Sequence, residues 1–587
     1  MKNRLFALAL TLVMLLGLMI PAYAENDETT TVTAQTMTEW AEAGYPAVTE
    51  LQIATVSDFK LFMEVLQNQS EPGLKSACEL KPGVDSSVFA FVGVTIYLTA
   101  DLDLNPGWES TMDVSWDHLE NNDDFVQDSL DHAADSIAAL PDYTIQVHKG
   151  QVADQKGFGG MFDGMGHTIV GLCIVSSNIA SAQSLFGVGH SDNDFVVGVK
   201  NLSIKNSYIE GTNHGLGALF SGITSGTDAL IENCYVDVDL HSTSTAAAKS
   251  NCSAGGLVGQ VAGNLTIKDT VYAGEIFGGV LGRDDHRHVG AVTGLVMGGA
   301  TSDDEPATLN VENFAFTGNI NWENSQRISS LIGRVENYAN VHFKNILALG
   351  GVLSNYGGLC RNIAGVKEGV TTTFTIENCL YHPNVSQTEV FEKTPEGGTR
   401  FVGYRMDEKT RTTGYLQLIV NKALQSSIDK IPNVHYTFEA AALGSVSASL
   451  KNVVIVDNKD YQGAAAGDAL TQHGIAGFQA VEEGYPLPSN LVAVFGTNVA
   501  GKSEITNPEE PTEPTEPSEP SSEATEPSNS STKPTNPKAP TSNKNDSAAD
   551  NESSSDMTPI IIGIVVAVVV VGAVVVVVIV VKKKAKK

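Results

Sequence analysis

Cysteine is scarce in this chain, six residues in 587, which excludes a disulfide-stapled scaffold. Positive charge is scarce as well: 36 Lys and Arg face 68 Asp and Glu, for a net charge of −32. Residues 1–24 and 582–587 hold seven of those basic residues and no acidic ones. The remainder therefore carries 29 positives against 68 negatives, or −39. Such a field repels nucleic acid and anionic membrane surfaces, so no nucleic-acid partner is expected. The signatures of common chemistry are missing too. There is no His-Glu-x-x-His, no phosphate-binding P-loop, no dinucleotide fingerprint, no Gly-x-Ser-x-Gly elbow and no Cys-x-x-Cys zinc pattern. No cofactor and no metal are expected. No Cys follows the candidate signal cleavage site and no Leu-Pro-x-Thr-Gly precedes the C-terminal apolar run, so neither a lipoprotein anchor nor covalent wall attachment is implied.

Long apolar runs, by contrast, stand at both ends. Lys2 and Arg4 precede an apolar stretch over residues 5–20, and Ala22-Tyr23-Ala24 gives a small-x-small cleavage site. Residues 1–24 read as a signal peptide. Residues 560–581 contain no polar side chain, which is long enough to cross a hydrocarbon core of about 30 Å as a helix. Lys582, Lys583, Lys584, Lys586 and Lys587 follow, a stop-transfer cluster that stays cytoplasmic. The expectation is a membrane helix over 559–581 with a Lys-rich tail at 582–587. Residues 502–558 are Pro, Glu, Thr, Ser and Asn with few apolar side chains. That composition favours disordered, extended polyproline II chain. Some 50 residues at about 3.1 Å each would reach on the order of 150 Å, a stalk.

Between the ends a pentapeptide recurs: apolar, any, apolar, Lys or Glu, then Asn or Asp. Its copies are Leu202-Ser203-Ile204-Lys205-Asn206, Leu265-Thr266-Ile267-Lys268-Asp269, Leu309-Asn310-Val311-Glu312-Asn313, Val341-His342-Phe343-Lys344-Asn345 and Phe374-Thr375-Ile376-Glu377-Asn378, with Leu230-Ile231-Glu232-Asn233-Cys234 as a variant. The Asn/Asp positions are spaced by 27, 36, 44, 32 and 33 residues. Constant strands with variable spacing mean loops of differing length leaving a regular stack. Each strand shows alternate apolar positions on one face and is too short to bury that face alone; stacking makes one continuous core. Asn206, Asn233, Asp269, Asn313, Asn345 and Asn378 are expected in a structural ladder at a bend, where Asn tolerates the left-handed backbone. The Lys or Glu before each should point to water. Glycine-bounded strands alternate with these: Gly215 to Phe220, Gly255-Gly256-Leu257-Val258-Gly259, Val289 to Gly294, Ser330 to Gly333 and Gly357 to Cys360. Roughly eight coils at about 4.8 Å each give a stack on the order of 40 Å. A β-propeller has similar repeats but needs about four strands per blade, more than the sequence offers. Equivalent positions stack, so Cys234 and Cys379 should be buried thiols, too far apart to pair.

The remaining boundaries follow from composition. Residues 25–49 read as a flexible arm. Residues 50–157 read as an N-terminal cap and first coils. In that region Thr55-Val56-Ser57-Asp58 resembles a capping box, and Phe59, Phe62, Met63 and Leu66 fall at helical spacing. An acidic helical insertion is expected around Val126, Leu130, Ala133, Ile137 and Leu140. Asn121, Asn122, Asp123 and Asp124 lack the spacing of a calcium loop. Repeats should fill 158–384. Residues 385–501 should form a C-terminal cap or small α+β module, with a short helix from Thr413 to Leu424 and strands at Val434 to Phe438 and Val453 to Val456.

Ala254-Gly255-Gly256-Leu257-Val258-Gly259-Gln260-Val261 resembles the GLUG motif of bacterial surface proteins. Phe158 to Ile169 resembles the Gly-x-Phe-Asp-Gly-x-Gly-His-Thr-Ile lead-in of those proteins, Tyr97 to Leu104 their preface, and Gly484-Tyr485-Pro486-Leu487 a closing segment. The resemblance, over about residues 50–385, implies a pectate-lyase-like right-handed parallel β-helix and an adhesin-like role on the bacterial cell surface. The expectation is a non-catalytic monomer that binds an unknown surface ligand, glycan or protein, from a single-pass anchor. Parallel β-helices also cleave polysaccharides. The best candidate for that chemistry is Arg283-Asp284-Asp285-His286-Arg287-His288, with Asp284, Asp285 and Arg287 supplying acid and cation; a solvated turn explains it as simply. Polygalacturonase-type Asn-Thr-Asp, Gly-His-Gly and Arg-Ile-Lys motifs are missing. The alternative function is therefore a polysaccharide lyase or glycoside hydrolase, and the third a purely mechanical spacer.

Overall fold

The computed structural model describes residues 32–67, 89–110, 140–147, 157–176, 183–191, 195–211, 215–242, 253–279, 285–299, 305–323, 325–353, 359–364, 370–382, 387–393, 399–406, 416–421, 434–439, 445–501, 505 and 507. The signal segment, the acidic insertion around residues 121–139, and the membrane helix expected at 559–581 lie outside these, as does nearly all of the stalk. Among the described residues no helix is long and apolar enough to cross a membrane.

The chain is mainly β. Three parallel sheets of twenty, ten and four strands run along it, curled into a half-barrel. In the large sheet, strand follows strand at one coil's remove: Val197–Lys200, Asp228–Glu232, Asn264–Tyr272, Ala307–Phe316, Ala339–Ala348, Thr371–Tyr381 and Ser445–Ile455 pair in that order. The inward columns are what the pentapeptide encodes. One runs Val197, Ala229, Leu265, Leu309, Val341, Phe374; the other runs Val199, Ile231, Ile267, Val311, Phe343, Ile376. All are buried. No coil could bury these side chains alone, so the hydrophobic gain, about 1.5–3 kcal/mol for a fully buried Val, Leu, Ile or Phe, exists only in the stack. The glycine-bounded strands build the second sheet, from Phe89–Ala90 through Val258–Val261 and Thr293–Met297 to Val434–Glu439. Close approach fixes their composition: a Cβ on Gly256 would stand 2.3 Å from the Ala291 carbonyl and 2.6 Å from Tyr272.

At each coil the Asn turns the chain in the left-handed region, with φ between 48° and 57° at Asn201, Asn233, Asp269, Asn313, Asn345, Asn378 and Asn452. Each amide also donates to the rung before it. Asn201 Nδ2 reaches Asp163 Oδ1 at 3.0 Å, and Asn233 reaches Asn201 at 3.1 Å. Asn313 reaches Asp269 at 2.9 Å, Asn345 reaches Asn313 at 3.0 Å, and Asn378 and Asn452 continue at 3.1 Å each. The expected ladder is corrected at one member. Asn206 is not in it; Asn201 is. Leu202 to Asn206 matches the pentapeptide but lies beyond the bend, paired with Tyr235 and Val236; Val197-Gly198-Val199-Lys200-Asn201 is the true rung. In the next coil the pentapeptide frame starts at Ala229, not Leu230, which points outward and is half-buried. The ladder is also two ladders. Asp269 lacks the side-chain N–H with which an Asn would donate to Asn233, so each run begins on an acid, Asp163 or Asp269.

Outside the inward columns runs a second one, also set by register. Asp163, Lys200, Glu232, Lys268, Glu312, Lys344, Glu377 and Lys451 occupy successive rungs. Their charges alternate without a break. Lys200 lies 3.1 Å from Asp163, Lys344 lies 2.6 Å from Glu312, and Lys451 pairs with Glu377. Exposed pairs contribute little each. A slip of one coil, however, would set like charges opposite one another along the whole column, so the alternation specifies register.

Four expectations about boundaries change. Part of the arm is built into the fold: Gln35–Thr36 joins the sheet, and α1 (Met37–Glu42) buries Met37 and Trp40 under a Thr36–Glu39 capping box. α2 (Val56–Gln67) forms as the Thr55–Asp58 box requires. Asp58 Oδ2 accepts from Thr55 N at 3.1 Å, and its Oδ1 accepts from Thr38 Oγ1 at 2.7 Å, tying α2 to α1. Phe62 of α2 packs on Phe91, Phe158, Phe162 and Phe186 of the first coils, with centroids 5.4–6.3 Å apart. The repeats do not stop at 384: Ala448-Ser449-Leu450-Lys451-Asn452 is another rung. The helix expected from Thr413 to Leu424 is instead the strand Leu416–Asn421, which extends the second sheet beside Cys360–Ala364 and Val434–Glu439; Leu-Gln-Leu-Ile-Val alternates like a strand.

Of the two forms expected for the C-terminal region, residues 458–501 take that of a small α+β module rather than a cap over the end of the stack. They double back along its flank. The outward column just past the Asn bend is apolar, namely Tyr235, Val271, Ala315, Leu347 and Leu380. Tyr461, Leu470, Ile475, Val481, Leu487, Leu491 and Val499 bury it. They come from a 3-10 turn (Asn458–Tyr461), α3 (Ala466–Gln472), a short hairpin, α4 (Ser489–Phe495) and the segments that follow α3 and α4. Asn490 Nδ2 donates to Asp269 Oδ2 at 2.9 Å, so the acid that interrupts the ladder also holds the strap.

Replacing Asn345 with Ala should cost about 2–4 kcal/mol, from a left-handed non-Gly residue plus two lost hydrogen bonds. Asn345→Gly should cost about half as much, because glycine keeps the turn. Urea midpoints of the two variants check this; equal losses would remove the backbone term.

Candidate functional site

The acidic and cationic motif at Arg283 to His288 lies only partly among the described residues. Asp284 lies outside the described residues. Asp285 and Arg287 fall on the strand Asp285–Gly290 of the four-stranded sheet, paired with Ser253–Gly255 and Ser325–Ile328. His288, on the same strand, is buried. Among the described residues no group of three His, Cys, Asp or Glu side chains is arranged to hold a metal ion.

A different site emerges beyond the Asn bend, on the outer face of the large sheet. The strands Ser203–Gly211, Tyr235–Ser242, Glu275–Gly279 and Asn319–Glu323 stack there in parallel. Their register lines up Tyr208, Asp239, Glu275 and Asn319 in one outward column, and Glu210, His241, Phe277 and Asn321 in the next. A cleft of about 490 Å³ opens over this face, lined by Asp103, Trp108, Glu109, Lys205, Asn206, Asp237, Asp239, Glu275 and the strap residues Ala500 and Gly501. The Asn206 amide fixes one wall: its Nδ2 donates to Trp108 O at 2.6 Å, and its Oδ1 accepts from Ser110 N at 2.7 Å. The residue expected in the ladder is therefore a cleft residue. Ser110 Oγ donates to Asp239 Oδ2 at 2.6 Å, and the Glu275 backbone N–H to Asp239 Oδ1 at 2.9 Å. Trp108 packs against Cys173, Tyr208 and Phe277.

Behind the cleft, Tyr208 Oη donates to Glu210 Oε2 at 2.8 Å and lies 3.0 Å from His241 Nδ1. With the Tyr208 proton committed to Glu210, His241 Nδ1 carries a hydrogen and donates to the phenol oxygen. Burial opposes ionisation of Glu210, but hydrogen bonds with His241 and Tyr208 outweigh it and hold the carboxyl below its ordinary range. Burial raises the Tyr208 hydroxyl far above its ordinary value. Tyr208 is thus a fixed donor, not a base. Burial also lowers the Lys205 ammonium pKa, and Lys205 Nζ donates to Gly501 O at 2.9 Å. Farther along, Asn507 matches the Asp103 backbone with its side chain, accepting from Asp103 N at 2.7 Å and donating to Asp103 O at 2.8 Å. The strap thus returns to the N-terminal coils.

Two other histidines make polar side-chain contacts away from the cleft. His167 Nδ1 contacts Asp101 Oδ1 at 3.2 Å, and His190 Nδ1 contacts Thr224 Oγ1 at 2.8 Å. Cys173, Cys234, Cys360 and Cys379 are buried and stand outside any disulfide, and burial pushes Cys234 up to about 12. In register, the strands carrying Thr270, Phe314 and Ile346 separate Cys234 from Cys379.

A second concavity, a trough of about 450 Å³, runs along the charge-alternating face beside Thr266, Asn310, His342, Thr375 and Ser449. Of the cleft residues, Lys205 and Asn206 belong to a pentapeptide copy, whereas Asp237, Asp239 and Glu275 lie outside every copy. The alternation of Asp237 and Asp239 with Val236, Val238 and Leu240 was the available signal.

Compared with protein-family models, curated proteins and solved structures, the chain finds no match.

Lys205→Met should release the strap at Gly501 while leaving the coils intact. Limited proteolysis is expected to cut near residue 501 several-fold faster than in the parent chain. Unchanged cleavage would mean the apolar contacts of the strap suffice without Lys205.

Proposed function

We propose that the chain is a cell-surface binding protein of adhesin-like character, built on a right-handed parallel β-helix with a helical N-terminal cap. In this reading residues 1–24 direct export, 502–558 form an extended stalk, and 559–581 anchor the chain in a bacterial membrane with the repeats outside. The likeness of its glycine-rich strands to GLUG-motif surface proteins belongs to the same reading. The observation that carries it is the regularity of the platform. Inward columns, Asn bends and outward charges keep one register over coils whose connecting loops differ in length, as a scaffold for displayed binding surfaces would. The ligand is a glycan or a protein, outside the cell.

A polysaccharide lyase or hydrolase is the second reading. It is favoured by the acidic residues Asp237, Asp239 and Glu275 beside Trp108 in the cleft. Against it, both Asp239 oxygens are already taken by Ser110 and the Glu275 backbone, and a hydrolase needs a matched acid and base.

The full chain should bind selected members of a glycan and matrix-protein array and release no sugar from polysaccharides. Silence on the array together with depolymerising activity lost in Glu275→Gln would reverse the two readings.

A further inference from the structure

The charge-alternating face has a property beyond register. Eight alternating charges, acidic at Asp163 and basic at Lys451, are complementary to the same column run in the opposite direction. Under a two-fold axis lying in the face and perpendicular to the stack, Asp163 meets Lys451, Lys200 meets Glu377, Glu232 meets Lys344 and Lys268 meets Glu312. Every opposed pair is then of unlike sign. An odd number of rungs, or any break in alternation, would destroy this.

We propose that this face is a homophilic interface, pairing antiparallel with the same face of a second copy. The inference rests on the surface-display reading for its setting and names the partner that reading leaves open. Most of its charged groups are available: the side chains of Lys344 and Lys451 are 54% and 72% exposed, and those of Glu312 and Glu377 40% and 43%. Asp163 is buried, so the charge pairing is carried by the six rungs from Lys200 to Glu377. The strap leaves them uncovered, because it lies past the Asn bend on the apolar column. Beside the charges run uncharged polar columns of hydroxyl, amide and one imidazole side chain, Thr266, Asn310, His342, Thr375, Ser449 and Asn264, Thr308, Asn340, Thr373, Ser447. The trough along them gives room for a partner's long Lys and Glu side chains. Seven steps of about 4.8 Å by three columns about 7 Å apart offer roughly 500–700 Å² per copy, near the lower bound for a specific interface. A polar contact of this size is weak alone and gains from many tethered copies. Antiparallel stacks suit copies on two facing surfaces, so the monomer expected from sequence stays a monomer in dilute solution.

The test uses the full chain, attached to beads through a tag after residue 587. Beads should clump in about 0.01 M salt and disperse in about 1 M, where the Debye length falls from about 30 Å to about 3 Å. Glu312→Lys with Lys344→Glu keeps its own ion pair but sets like charges against a parent or identical copy; those beads should not clump. Glu232→Lys with Lys268→Glu should fail likewise. The two swapped chains, mixed, oppose unlike charges at every rung, so mixed beads should clump again. That rescue also shows both variants to be folded. No clumping of parent beads in low salt, or failed rescue between variants that each retain the parent circular dichroism spectrum, overturns the proposal. Array binding by the same non-clumping beads would leave the surface-binding reading standing.

Discussion

The left-handed turn at the Asn column is the constraint on which the rest depends. It bends the chain at the same point in every coil. Strands before the bend therefore stack on strands before it, and strands after it on strands after it. Asn serves here because its amide both tolerates positive φ and spans to the next rung as donor and acceptor. Glycine would turn as readily and bridge nothing. Each run of amide donation begins on an acid, Asp163 of the charged column or Asp269 of the bend column, and the remaining acceptor oxygen goes to another job: Lys200 at the first, the strap residue Asn490 at the second.

Once the bend is fixed, each outward column has its own environment. Before the bend the column is charged and wet. Just after it the column is apolar and covered by residues 458–501. Farther on it is acidic and lines a cleft between the Trp108 loop and the end of the strap. One repeated fold thus presents three different surfaces, and the strap joins two of them by crossing from the last coils back to Lys205 and Asp103.

Much of this was legible. The inward apolar pair, the bend and the outward charge all follow from one pentapeptide. Its misreading at Leu202 to Asn206 has a clear cause: two segments five residues apart both fit, and only the partner strand decides between them. Lys200, Glu232, Lys268, Glu312, Lys344 and Glu377 alternate in sequence, so register could have been read from sign alone. The unbroken apolar runs after each Asn, such as Cys234-Tyr235-Val236 and Phe314-Ala315-Phe316, signalled strands buried on both faces and hence a cover. What covers them was not legible, because the strap is joined to its column by no periodicity, only by tertiary packing. The cleft was hidden for the same reason: Asp103, Trp108, Lys205, Asp239, Glu275 and Gly501 come from distant parts of the chain.

The central claim is that one register runs through the whole stack, even across the sequence separation of 74 from Asn378 to Asn452. Paired cysteines test it most directly. Thr375 and Ser449 face each other across that gap on the exposed side. Thr375→Cys with Ser449→Cys should form a disulfide rapidly under mild oxidation, since neighbouring strands lie within about 5 Å. Thr375→Cys with Lys451→Cys, two residues out of step, should not. Equal rates for the two pairs, or the reverse order, would contradict the register and with it the account of the bend.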